Sequence, residues 1–239
     1  MASPGQLIER MALATGSNKS TIVSLYNELR DAEEIPKGAR GKNALHVTSE
    51  HAAKLLIAVC CAEHVKDAPN AVQRYSGLDV GNSVRYPLPK EDEFPTPGAN
   101  WDIVSLEFPR LGYLPPQHCL LDALVALVDS YTDDAEHSAD VTVSFGSPYP
   151  WAQASVILER RYDAEWRVAV NYLHRNPDPR GDGDDDPEFL TLIDPSKERQ
   201  RRRFSVLDGD LRVIAKITQN TLKALGELLR EDKTLMPSD

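Results

Sequence analysis

Little in this 239-residue chain would cross-link it or hold it in a membrane. Cysteine occurs three times, at Cys60, Cys61 and Cys119. That is too few, with two of them adjacent, for the disulfide framework of a small secreted domain, so all three read as reduced core residues. No apolar run approaches the roughly 20 residues that a bilayer helix needs. The first ten residues, MASPGQLIER, lack a basic segment followed by a hydrophobic one, which argues against a secretory leader. A cytoplasmic protein without a membrane partner is expected. Aromatic residues make up only 7% of the chain, but hydrophobic residues reach 41%, enough to pack one large domain or two smaller ones.

The chemical signatures of common enzymes are also missing. The six histidines, at 46, 51, 64, 118, 137 and 174, show neither HExxH spacing nor a cysteine partner at zinc-finger spacing, so no metal is expected. Cys60 and Cys61 lie in LLIAVCCA, an apolar setting that suppresses thiolate formation and a nucleophilic role. There is no glycine-rich phosphate loop, GxSxG elbow or dinucleotide fingerprint, and hence no cofactor expectation. Asp182, Asp184 and Asp186 alternate as in a calcium loop, but the sixth and twelfth positions are Pro187 and Ile193, where an EF-hand requires glycine and a carboxylate. The sequence therefore predicts no enzyme.

Positive charge is scarce overall and unevenly placed. The formal net charge is −10, yet residues 1–66 hold eight Lys and Arg against seven Asp and Glu. That leaves +1 on this segment and −11 on the 173 residues that follow. An acidic body weakens non-specific attraction to nucleic acid and leaves contact to a locally basic head. The strongest cationic run, KERQRRR at 197–203, reads as a surface counterweight to the acidic loop before it.

Residues 6–29 give the chain its direction. Leu7, Ile8, Met11 and Ala12 recur at helical spacing, as do Ile22, Leu25, Tyr26 and Leu29. Between them Gly16 suits a left-handed helix end, and Ser17 or Asn18 can cap the next helix. A small residue at Ala12, a turn glycine at Gly16 and inward Ile22 and Leu25 make this stretch resemble the winged helix-turn-helix of bacterial and phage transcriptional regulators. The resemblance covers about the first quarter of the chain, and it departs from the usual pattern at Ser17, where an apolar residue is common. It implies double-stranded DNA as partner, with Asn18, Lys19, Ser20, Thr21, Ser24 and Asn27 on the outer face of a recognition helix. Lys37, Arg40 and Lys42 would line the cationic tip of a wing, with Gly38 and Gly41 at its bends. Without that resemblance, the same residues describe a capped, solvated helix face and a basic turn.

The rest of the chain alternates between helical and strand patterns. A third helix capped by Thr48 or Ser49 is apolar on nearly every face, and a short fourth is expected over 69–75. The proline-rich stretch 81–100 excludes helix and central strand, and reads as a linker or arm that places a domain boundary near residue 80. Pro115 and Pro116 introduce a helix through 117–131. Alternation at Val141, Val143 and Phe145, at Ala154, Val156 and Leu158, and at Trp166, Val168, Val170 and Tyr172 predicts an antiparallel meander. Further strands are expected at 189–193 and 204–207, then a helix over 210–231 that either forms a homodimer element or packs across the sheet within one subunit. The fold class is α+β: a winged helix-turn-helix over 1–80, then an α+β domain over 81–239 with an antiparallel sheet and flanking helices, for dimerisation or sensing. Two functions fit: a sequence-specific DNA-binding transcriptional regulator, of phage or prophage type by resemblance, or a non-enzymatic module whose helical head docks protein.

Overall fold

The computed structural model describes residues 2–37, 46–86, 96–97, 107–133, 137, 139–146, 152–159, 167–173 and 213–233. It opens with four helices: α1 (Pro4–Thr15), α2 (Lys19–Asp31), α3 (Ser49–Cys61) and, after a short 3-10 turn, α4 (Ala68–Ser76). Strands β1 (Asp79–Tyr86) and β2 (Thr96–Pro97), the single-turn helix α5 (Pro109–Gly112) and α6 (Leu120–Asp133) follow. Then come β3 (Asp140–Gly146), β4 (Gln153–Glu159), β5 (Arg167–Leu173), β6 (Val213–Thr218) and α7 (Gln219–Lys233). The strands form one sheet in the order β2-β1-β5-β4-β3-β6, antiparallel at every junction. This is the α+β class expected from the sequence.

Local chemistry explains where the helices begin and end. Ser3 caps α1 in a reciprocal box, its Oγ accepting from the Gln6 amide at 3.3 Å while Gln6 Oε1 accepts from the Ser3 amide at 2.8 Å. Pro4 sits in the first turn, where its missing N–H costs nothing. On the sheet, Val141, Val143 and Phe145 are fully buried, as are Val156 and Leu158 on β4, while the residues between them are half-buried. One face thus carries the helices, as period-two alternation requires. The meander falls on β3, β4 and β5, which are consecutive neighbours.

Three stretches differ from their sequence patterns. The proline-rich 81–100 region begins as strand β1 through Tyr86 and rejoins the sheet at Thr96–Pro97, so position 80 lies inside a strand. The helix expected after Pro115 starts only at Leu120, because the Leu120 amide donates to Leu78 O at 2.8 Å and Cys119 bridges to Asp79, tying the turn to β1. Where a helix was expected over 210–231, the described residues form strand β6 from Val213 to Thr218 before the helix begins at Gln219. The β-branched Val213, Ile214, Ile217 and Thr218 favour strand, and Leu211, Ile214 and Ile217 recur at a spacing that mimics a helix. The strands expected at 189–193 and 204–207, and the basic run 197–203, lie outside the described residues.

One hydrophobic core runs from Leu7 and Met11 through Ile22, Leu55 and Leu56 to Leu124, Val143 and Leu225. Helix α3 touches α2 and α4 on the N-terminal side and α6, α7 and β6 on the other. Tyr75 of α4 is fully buried, donates its hydroxyl to Gly146 O at 2.5 Å and meets the Phe145 ring edge-on. Helix α7 buries Leu222, Leu225, Leu228 and Leu229 and packs on α6 and α1 of its own chain. Its buried apolar face is therefore occupied within the chain, the intrasubunit packing that the sequence also allowed for this helix.

The α6–α7 crossing depends on Gly226, where an added Cβ would lie 2.6 Å from the Tyr131 carbonyl carbon and 2.9 Å from the Thr132 amide nitrogen. Those neighbours are backbone and cannot swing aside. Gly226→Ala is predicted to destabilise by about 1–3 kcal/mol in spite of alanine's better helix propensity. Gly5→Ala, with only Ser3 Oγ at 3.9 Å, should be neutral or stabilising. Thermal unfolding of both variants checks this, and a Gly226→Ala protein as stable as the parent would contradict the close crossing.

Candidate nucleic-acid interface

Helices α1 and α2 meet at a tight corner. Gly16 adopts φ 68°, ψ 14°, the left-handed geometry that ends α1, and Asn18 caps α2 with extended backbone. The Asn18 side-chain oxygen accepts from the Ser20 amide at 2.9 Å and the Ser20 hydroxyl at 2.8 Å. Inward, Ile22 and Leu29 are wholly buried and Leu25 and Tyr26 nearly so. Ala12 is partly buried at the margin of the same core.

The opposite face of α2 is open. Asn18, Lys19, Ser20, Thr21 and Ser24 are all exposed, so the structure brings these five expected residues together on two successive helical turns. Two are already engaged locally: Asn18 as the cap, and Ser24, whose hydroxyl donates to Ser20 O at 3.0 Å. Lys19 Nζ lies 3.3 Å from Glu9 Oε1, with both side chains about 60% exposed. A pair so open to water is worth little and is easily exchanged for another anion. Lys37 is exposed beyond α2. Arg40 and Lys42, with the rest of the expected wing at 38–45, lie outside the described residues.

How the chain leaves α2 was not legible in the sequence. The Glu33 amide donates to Arg30 O at 3.2 Å and the Glu34 amide to Leu29 O at 2.9 Å, the two bonds of a Schellman ending. Glu33 takes φ 64°, a position where glycine is usual and no side-chain pattern gives warning. Ile35 then plugs into the core. Lys54 of α3 clamps this exit: its Nζ donates to Glu34 O at 3.0 Å and pairs with Glu50 Oε1 at 2.9 Å. The Glu50–Lys54 spacing of four was the available signal. The segment before the expected wing is thus aimed by α3.

Other reactive side chains serve the fold. Burial pushes the Cys60 thiol up to about 12 and raises that of Cys61 as well, the opposite of an activated nucleophile. His118 is buried, with Nδ1 at 2.8 Å from Pro115 O and Nε2 at 2.9 Å from the Tyr172 hydroxyl. Burial raises the Tyr172 phenol above its ordinary value, so it stays neutral. With His118 donating to the carbonyl and accepting from the phenol, the pair is a buried latch. Among the described residues no three His, Cys, Asp or Glu side chains group as a metal site requires, and no helix is long and apolar enough to cross a membrane.

Helix α3 begins at a cap that includes a titratable side chain. Thr48 and His51 cap each other: the His51 amide donates to Thr48 Oγ1 and the Thr48 amide to His51 Nδ1, both at 3.3 Å. Burial lowers the His51 pKa below the usual 6.5, Glu50 partly opposes this, and Lys54 adds to it. Because the folded pKa is depressed, the stability linked to neutral His51 is complete above about 6.5 and is lost as pH falls through the folded value. His51→Gln keeps an acceptor at the same capping position and does not titrate. This variant is predicted to lose less stability than the parent between about pH 7 and pH 5 in denaturant melts. Identical pH dependence in the two proteins would contradict the assignment.

Searches against protein-family models, curated proteins and solved structures return no match, so a functional assignment rests on the geometry above.

Proposed function

We propose that this protein is a sequence-specific DNA-binding transcriptional regulator, acting in the cytoplasm, whose α2 reads base edges. One observation carries the reading: α2 is fully buried on one face and presents Asn18, Lys19, Ser20, Thr21 and Ser24 to solvent on the other, over its first two turns. Short hydroxyl and amide side chains reach base edges and phosphates, and Lys19 can exchange its exposed Glu9 partner for the acceptor edge of a guanine. Lys37, Arg40 and Lys42 are assigned to backbone contact beside it, a sequence-independent and salt-sensitive contribution.

A second reading has its own observation. Leu13 on α1 is 76% exposed and Val23 on α2 is 37% exposed, and apolar side chains of that size on a helical pair suit a protein-docking surface.

Substitutions separate these readings. Lys19→Ala and Thr21→Ala are predicted to lose about 1–3 kcal/mol of preference for the cognate site, while binding to random DNA and the unfolding temperature change little. Leu25→Ala removes a buried side chain and should lose both binding and about 2–5 kcal/mol of stability. Asn18 is less clean, because its replacement by alanine also removes a helix cap worth about 1 kcal/mol. Competition binding with cognate and random duplexes, alongside thermal melts, measures both quantities. Full discrimination in Lys19→Ala and Thr21→Ala would remove α2 as the reader and favour docking through Leu13 and Val23.

A further inference from the structure

One apolar residue of α2 faces solvent. Ile22, Leu25, Tyr26 and Leu29 are at most 5% exposed, whereas Val23 is 37% exposed. Neither burial nor helix formation accounts for a valine at that position. A β-branched side chain loses rotamer freedom in a helix, and alanine, lysine or glutamate would support an exposed turn better.

Helical spacing sets Val23 among polar side chains. Lys19 and Ser20 precede it by four and three residues and Asn27 follows by four, the separations at which helix side chains are neighbours. Lys19 and Ser20 are exposed and Asn27 is half-buried. Thr21 is two residues away, and residues two apart do not face each other, so it stands on the opposite flank of the Ser20 and Ser24 stripe. Towards its C-terminal end α2 turns acidic: Asp31 and Glu33 are exposed, with Glu28 and Glu34 half-buried. Carboxylates there repel phosphates, whereas the N-terminal end carries Lys19 and the positive end of the helix dipole. A duplex is therefore met by the first two turns, which include Val23. Its side chain neither donates nor accepts a hydrogen bond, and the apolar feature that a base pair offers in the major groove is the thymine methyl group.

We infer that Val23 is a specificity-determining residue that selects thymine, packing its methyl groups against the 5-methyl of a T·A pair while Lys19 takes the acceptor edge of a nearby guanine. Four residues rise about 6 Å along a helix, and base pairs are about 3.4 Å apart. The two pairs therefore lie within about two steps of each other. This inference rests on the DNA reading proposed above and adds the class of base to it. It also separates two uses of one side chain: docking would bury Val23 against protein and would be indifferent to a methyl group on DNA.

The test uses the full chain. Duplexes are selected from a random pool, and each thymine of the enriched site is then replaced singly by deoxyuridine, which removes the methyl group and leaves the pairing edge unchanged. The parent should lose about three- to tenfold in affinity at one or two of these positions, the scale of one buried methyl contact. Val23→Ala should bind the thymine duplex more weakly by a similar factor and no longer distinguish thymine from uracil there. It should melt at the parent's temperature or above, because the position is exposed and alanine favours helix. Val23→Thr keeps the shape and one methyl group, and should retain most of the thymine preference. Lys19→Ala should keep the thymine–uracil difference while losing discrimination at the guanine. An enriched site at which the parent ignores the methyl group, a difference that survives in Val23→Ala, or one that vanishes in Thr21→Ala instead would each overturn the assignment and leave the DNA reading standing. A pool without enrichment would remove the DNA reading, and the assignment with it.

Discussion

Helix α3 has almost no side that faces water, and the rest of the molecule is arranged by that constraint. Leu55, Leu56 and Ile57 are completely buried and Ala58 nearly so, at positions that point in different directions around the helix. Burying each of the three large side chains contributes about 1.5–3 kcal/mol, and no single neighbouring element can cover them all. They are covered by α2 and α4 on one side and by α6, α7 and β6 on the other. The candidate reading head and the sheet are thereby held in one core, with Tyr75 adding a second tie to β3 through Gly146. The same helix clamps the exit of α2 through Lys54. A reader placed on α2 is oriented by the whole fold, unlike one on a hinged appendage.

Elements with a strong period and good caps were legible in the sequence. The corner between α1 and α2 follows from Gly16 and Asn18, and the alternation of β3, β4 and β5 gave the antiparallel class. Misreadings arose where two physical signals overlapped. Leu211, Ile214 and Ile217 fit a helical face, but β-branched residues dominate 213–218 and the strand wins because β3 offers it a partner. The proline density of 81–100 concealed β1, whose residues precede the prolines. Of the site, the exposed face of α2 was readable from polar residues opposite a helical apolar stripe. The Lys19–Glu9 pair and the left-handed Glu33 were not, since neither leaves a local pattern in the sequence.

Electrostatics sets the conditions under which such a head works. With −11 of the formal charge beyond residue 66, the body repels DNA while the head is nearly neutral. Long-range steering is then weak, and binding depends on contacts made at short range. The Lys19–Glu9 pair fits this: an exposed pair holds the lysine by only about 0.2–1 kcal/mol, which leaves Lys19 able to exchange the carboxylate for a base-edge acceptor. On the DNA reading proposed above, discrimination would come from Lys19 and Thr21 at base edges, with the hydroxyls of Ser20 and Ser24 beside them, all contacts of short range. A modest salt slope combined with a marked sequence preference is the behaviour this charge arrangement favours.

The central claim, that the outer face of α2 reads DNA sequence, is tested most directly by selecting bound duplexes from a random pool with the intact protein and sequencing them over successive rounds. The account predicts that one short motif rises steadily above the starting pool, and that the same selection with Lys19→Ala and Thr21→Ala combined yields a degraded motif or none. A pool that stays random with the parent protein, under conditions where it is folded and monodisperse, would contradict the claim.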